Sequence, residues 1–401
     1  LATAGVATQL AERWLVAGVL WAIATLVHPE AVCALPVVAM LAGRCRGRRA
    51  VSKVLLPSVA AILFCVGINS AASGRLAPVA TSGGLNFWLG NNPHADGVNP
   101  FVSGPLQPIA DRVVNRSGKD SVVADRLFRV EALRFWREMP VSALALTWKK
   151  FRWTFSDREL PNTTDIEWQK SYSWVFTLRI LPLSFGVILP LALAGFALRT
   201  PRTGDLILLL AWVLPALAAS VVFFTNARFR LLLAPACIVL AASAVDQLLI
   251  RARRWRTHLA RFAIASALAL VGVWLAWSDS YGVWQYRVPE IDVNTGILER
   301  EAGHFPAAIA YLRRGLVATP DDAIGWVHLA LALEQNGEDG AALQAYLDGL
   351  TNLPHDATIL PMAEKFFDRH HLDRQEFTAF EQTESPQLRD AIAKALVRSL
   401  R

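Results

Sequence analysis

Gly303–Pro320, GHFPAAIAYLRRGLVATP, returns as Gly337–Pro354, GEDGAALQAYLDGLTNLP. Gly303, Ala307, Ala308 and Pro320 recur as Gly337, Ala341, Ala342 and Pro354, each displaced by 34 residues. A fixed period of this length marks stacked supersecondary units. The residue types describe the unit: Ala lets two helices approach closely, Gly relieves the turn between them, and Pro stops the second helix. Both copies lie past Tyr286, where the composition becomes that of a soluble helical domain.

Upstream of Tyr286 the chain is of a different kind. With 54% hydrophobic residues, 14 Trp and a positive mean hydropathy over its 401 residues, the whole chain cannot be one soluble domain, because the apolar residues are gathered in runs. Runs long enough to cross about 30 Å of hydrocarbon occur at Val54–Ala72, Trp174–Leu198, Leu206–Phe224, Leu231–Ile250 and Phe262–Trp277. Glu12–Gly43 is also apolar, but His28, Pro29 and Glu30 interrupt it. Pro29 lacks a backbone donor and disfavours helix at His28, so a break or re-entrant pair is expected there.

The net charge of +7 does not point to nucleic acid, because the basic residues cluster at the ends of spans. Arg44, Arg46, Arg48, Arg49 and Lys53 precede one span, Arg199 and Arg202 separate two, and Arg251, Arg253, Arg254, Arg256 and Arg261 precede the last. Placing all three clusters in the cytoplasm puts residues 73–173, the turn around Thr225–Arg230 and everything after Ser278 on the opposite side. The expectation is a multi-pass protein of the plasma (inner) membrane with its repeats outside the cytoplasm. Cys33, Cys45, Cys65 and Cys237 all fall in apolar runs or the cytoplasmic loop, so they offer no extracytoplasmic disulfide framework.

The long loop opens with Ser82–Pro100, SGGLNFWLGNNPHADGVNP. Its Gly, Asn and Pro content demands turn conformations, so the backbone there is being aimed. Asn86, Asn91, Asn92, His94 and Asp96 supply amide, imidazole and carboxylate groups, while Phe87 and Trp88 supply faces able to stack on sugar rings. Farther on, Val122–Arg137 places Val123, Leu127, Val130 and Leu133 on one helical face, and Val141–Phe155 adds Trp148, Lys149, Lys150, Arg152 and Trp153. Both read as helices in the membrane interface, with Trp as anchors and the basic residues drawn to anionic headgroups.

Two resemblances follow from these stretches. Asn86–Pro93 (NFWLGNNP) with Asp96 and Gly97 resembles a loop of bacterial glycosyltransferase family 39-like proteins, polytopic enzymes of the GT-C fold. Leu26–Pro36 (LVHPEAVCALP), Lys149–Asn162 (KKFRWTFSDRELPN) and Thr225–Pro235 (TNARFRLLLAP) are similar to three further elements of that family, in the same order. His28 departs from the family's usual Arg, and Leu232 from its frequent Pro. The repeat, with Trp326, Leu329, Ala330 and Tyr346 in its second copy, resembles the tetratricopeptide repeat, and Ile359–Arg401 is expected to add degenerate capping helices.

The resemblances imply an all-α protein: a transmembrane GT-C-like bundle over residues 1–285, then a tetratricopeptide solenoid over 286–401. They imply sugar transfer from a polyprenyl-phosphate-linked donor to an extracytoplasmic acceptor, with membrane lipids and a protein partner for the repeats. The rivals are a surface-polysaccharide polymerase or ligase and a non-enzymatic anchor that presents the repeats to an envelope assembly. Transfer needs a base for the acceptor and cationic donors for the departing phosphate. The family's catalytic Asp lies upstream of residue 1, so the chain is expected to be the C-terminal part of a longer protein; within it Glu30 is the candidate base. Arg228 and Arg230 are the candidate phosphate ligands, since guanidinium groups pair with phosphate oxygens through two hydrogen bonds. Asp157 and Glu159 are lesser carboxylate candidates, and no metal or other cofactor is implied.

Overall fold

The computed structural model describes residues 13–27, 35–77, 79–162, 165–173, 184–199, 203–231, 233–251, 258–383 and 385–399. Its regular structure is helical, with no β-strand among the described residues. His28, Glu30, Cys33 and residues 174–183 lie outside them. The chain forms two compact units: Leu1–Pro100, Ala110–Asn162 and Thr177–Tyr286 make the first, and Phe101–Ile109, Thr163–Phe176 and Arg287–Arg401 the second.

In the first unit, Arg48–Ser73 and Leu259–Trp277 are long and apolar enough to cross a membrane. The former has 26 residues, or about 39 Å at 1.5 Å per residue. Their apolar side chains mostly face outward: Leu63, Phe64 and Leu270 are each more than 60% exposed. Trp14–Val27, Phe185–Leu198, Val213–Val222 and Ala234–Ile250 are shorter apolar helices, so two of the five expected spans reach crossing length as described. The helices meet through small residues. Ala194, Leu198, Ala244 and Ala265 form one core, and Phe185, Leu189, Ala216, Leu233 and Ala276 another.

Ser121–Glu138 and Pro140–Thr154 form the two helices expected in the long loop. Asp120 caps the first by accepting the Val122 and Val123 amides. A face other than the one expected to meet the membrane interface is buried in the protein. Val122, Asp125, Phe128, Ala132 and Phe135 are buried, whereas Val130 and Leu133 are exposed. The inward face is chosen by the backbone it meets: Asp125 Oδ1 accepts the Gly84 amide and Phe128 packs against Trp88 at 5.1 Å.

The second unit is built from antiparallel pairs. Pro289–Glu301 pairs with Phe305–Ala318, and Ala323–Gln335 with Asp339–Asn352. Gly303 and Gly337 adopt φ of +82° and +81° in the two turns, the left-handed conformation that the repeat spacing demanded. Ala308 and Ala342 are fully buried, as are Leu312 and Tyr346. Gly315 and Gly349 recur at the same displacement of 34 residues. A Cβ on Gly315 would lie 2.6 Å from Val293 Cγ2, and one on Gly349 2.9 Å from Trp326 Cβ. Ile359–Arg369, Arg374–Gln382 and Pro386–Ser399 continue the array, adding Phe366, Phe367, Phe377, Phe380 and Leu396 to the same core. This is a tetratricopeptide-like solenoid.

Candidate functional site

The Asn-rich stretch begins as a short helix, Gly83–Leu89, and its polar side chains turn largely inward. Asn91 is 1% exposed; its amide donates to the Phe87 and Val222 carbonyls, both at 2.7 Å, and its Oδ1 accepts Trp136 Nε1 at 3.0 Å. Asn92 is 2% exposed, donating to the Trp88 carbonyl at 2.8 Å and accepting the His94 amide at 2.8 Å. Asp96 Oδ1 accepts the Val98 and Asn99 amides, and its Oδ2 accepts the Tyr286 hydroxyl. These groups hold the loop's own shape. Trp88, expected as a sugar platform, is instead buried against Phe128, and Phe87 sets its edge on Phe223. Asn86 is half-buried and His94 is exposed.

Lys150 stands at the centre of this arrangement. Expected to reach for headgroups, it is fully buried, and its Nζ donates to Gly90 O at 3.1 Å and Phe223 O at 3.0 Å, with Asn91 Oδ1 at 3.4 Å. Gly90 and Phe223 follow directly on the C-terminal ends of Gly83–Leu89 and Thr203–Val222. One cation thus serves two helix C-termini, whose free carbonyls carry partial negative charge. No carboxylate shares the hydrogen bonds described for this amine, and burial pushes its pKa down to about 8. Lys149 lies 4.3 Å over the Trp153 ring; burial lowers its pKa and the charge of Asp96 opposes the shift.

Arg152 is buried as well, which corrects its expected role at headgroups. It donates to the Ser278 and Ser280 hydroxyls at 2.6 and 2.8 Å and lies 4.1 Å from the Trp274 ring. Trp153, expected as an interfacial anchor, is 1% exposed and donates to Ser280 O at 2.7 Å; Trp148 keeps an exposed position.

The loop exit and the 225–235 hairpin close the other side. Thr225 N–H donates to Gly97 O at 2.8 Å, the Thr154 and Thr225 hydroxyls meet at 3.0 Å, and Asn226 donates to Asn162 Oδ1 at 2.9 Å. Arg230 is 4% exposed and donates through Nη1 to the Ser156 and Arg158 carbonyls. Its Nη2 lies 2.6 Å from Glu159 Oε1, an ion pair set off the hydrogen-bonding direction. Glu159 remains 38% exposed in its side chain. Arg228, two residues away, is exposed and makes no hydrogen bond or ion pair among the described residues. The two candidate arginines therefore differ: Arg230 is built into the fold and Arg228 is available.

Three stretches more than 40 residues apart thus meet at one junction, centred on Lys150, Thr225 and Arg230. Gly90 sets how closely they approach, because a Cβ there would lie 1.7 Å from Phe223 O. Gly90→Ala should therefore cost about 2 kcal/mol, as overpacking at a close backbone approach does. An unchanged thermal midpoint would show the approach to be loose.

The comparisons bear on the second unit. Residues 293–357 match the family model described as Tetratricopeptide repeat. No curated protein and no solved structure matches the chain. The match covers the two helix pairs whose glycines turn at Gly303 and Gly337, so a tetratricopeptide repeat is present in this part of the chain.

Proposed function

We propose that this chain is part of a multi-pass membrane glycosyltransferase of GT-C type that uses a polyprenyl-phosphate-linked sugar, with its repeats on the extracytoplasmic side as a protein-docking module. The observation that carries the reading is the junction. The Asn-rich loop, the loop exit and the Arg-aromatic-Arg hairpin, singled out separately in the sequence, are tied together by Lys150, Thr225 and Arg230. Arg228 is the phosphate ligand in this reading, and Arg230, paired with Glu159, fixes the hairpin that presents it. Tetratricopeptide repeats commonly bind other proteins. Here a groove of about 420 Å³ lined by Val317, Trp326, Leu329 and Leu333 together with Arg313 and Asp348 supports a protein partner.

The test is binding of labelled polyprenyl-phosphate sugar by the protein in proteoliposomes, since the base that turnover needs is expected upstream of residue 1 and this chain is expected to be inactive alone. Arg228→Ala should weaken binding about tenfold or more, the loss of hydrogen bonds to a charged group, with no change in thermal midpoint. Arg228→Lys should recover part of it, since Lys keeps the charge but not the two-pronged geometry. Arg230→Ala should instead destabilise the fold by about 3 kcal/mol, because the Ser156 and Arg158 carbonyls lose their buried partner. Equal donor binding by wild type and both Arg228 variants would end the phosphate assignment. Absence of donor binding altogether would favour a second reading, a membrane anchor for the repeats, which the structural use of Asn91, Asn92 and Lys150 also suits.

A further inference from the structure

A second groove in the first unit, of about 330 Å³, is lined by Val66, Leu76, Ala77, Val122, Asp125, Arg126 and Arg129. Its two walls differ in chemistry. One wall belongs to Arg48–Ser73, where Val59, Leu63 and Val66 follow at helical spacing on one face, and Val59 and Leu63 are exposed. The other belongs to Ser121–Glu138, where Val122, Arg126, Arg129 and Leu133 also share a face. An apolar track on a helix of crossing length thus faces two guanidinium groups on a helix with an exposed apolar flank.

The charges at the groove are accounted for one by one. Asp125 is buried; its Oδ1 accepts the Gly84 amide and its Oδ2 pairs with Arg129 at 2.6 Å. Arg75 pairs with Asp120 at 3.4 Å. Arg126 is exposed and has no hydrogen bond or ion pair among the described residues, so it leaves the groove with surplus positive charge. We propose that this groove seats an anionic phospholipid, its phosphate on Arg126 and the outer face of Arg129 and an acyl chain along Val66 and Leu63. The inference rests on the membrane reading of Arg48–Ser73, which makes lipid the phase that this wall meets.

The test is retention of phosphatidylglycerol against phosphatidylcholine by the full chain extracted from mixed vesicles, read by native mass spectrometry. Wild type should retain phosphatidylglycerol selectively, Arg126→Ala should reduce that retention about fivefold, and Arg126→Glu should reduce it further. Arg126→Lys should keep it, because a lysine serves a lipid phosphate nearly as well in this role. Arg126 is exposed and unpaired, so none of these changes threatens the fold. Retention unaffected by Arg126→Glu, or equal for the two lipids, overturns the site. Displacement of the lipid by inorganic phosphate alone also overturns it, in favour of a free-anion site. Release of the protein from vesicles by alkaline carbonate overturns the membrane reading and the site together, whereas a protein that stays embedded without lipid preference overturns the site alone.

Discussion

Lys150→Ala should destabilise the protein by about 4 kcal/mol, the sum expected for a large buried side chain removed and helix-end carbonyls left without a donor. Lys150 is fully buried, and its amine is the donor described for Gly90 O and Phe223 O at about 3 Å. Water cannot replace it without opening the junction. Lys150→Met separates the two contributions: it keeps the stem's volume and loses only the amine, so it should cost about half as much. The pH dependence has a definite sign. The folded amine has its pKa lowered to about 8 from the ordinary 10.5, so between those values the unfolded chain holds a proton that the folded chain has released. Stability contributed by this group therefore rises with pH across that window, in wild type and not in Lys150→Met. Thermal unfolding followed across the window reads both effects. A Lys150→Ala protein that melts with wild type would mean that the two helix ends do not depend on this amine.

Glu299→Ala should cost the second unit about 4 kcal/mol. The carboxylate is 3% exposed and accepts Trp168 Nε1 at 2.6 Å, Tyr172 Oη at 2.6 Å and His304 Nδ1 at 2.9 Å. Hydrogen bonds to a buried ion are each worth about 1.5–3 kcal/mol but are not additive, which sets the figure. Burial alone would raise the Glu299 pKa, and the hydrogen bonds from Tyr172, Trp168 and His304 together bring it below the ordinary value. The same bond, with burial and the carboxylate charge, pushes the Tyr172 hydroxyl up to about 12. Because the folded carboxyl pKa is depressed, its stabilisation is present above the ordinary carboxylate range and lost as pH falls through the folded value. Glu299→Gln keeps an acceptor without the charge and should lie between wild type and Ala. Limited proteolysis within Ile166–Tyr172 reports whether that helix stays docked, and an Ala variant with unchanged cleavage and midpoint would remove Glu299 as its tether.

The repeat was legible because its packing is local: each helix pair closes within 34 residues, so Gly, Ala and Pro recur where the geometry needs them. The apolar helices were legible from composition. The inside of the first unit was not. Ser121–Glu138 has apolar residues on two faces, and what decides between them is the Gly84 amide, 41 residues from Asp125. Lys150 and Arg152 belong to residue types that usually mark an interface; only partners 60 and 126 residues away in sequence reveal that they are buried. Asn91 and Asn92 read in sequence as amides offered to a substrate, whereas their side-chain amides donate to the loop's own Phe87 and Trp88 carbonyls.

The second unit draws on three separated stretches of chain, and this bears on the order of events during synthesis. Ser103 meets Glu290 across 187 residues and Gly104 meets Asp321 across 217, while Trp168 waits 131 residues for Glu299. A ribosome delivers Phe101–Ile109 and Ile166–Tyr172 many seconds before the helices that receive them. Until then these segments have no native partner for those contacts, and closing such long loops is slow. Nascent chains stalled before Glu290 should therefore leave both segments open to protease, and chains extended past Asp321 should protect them, so that completion of this unit is a late event timed by translation.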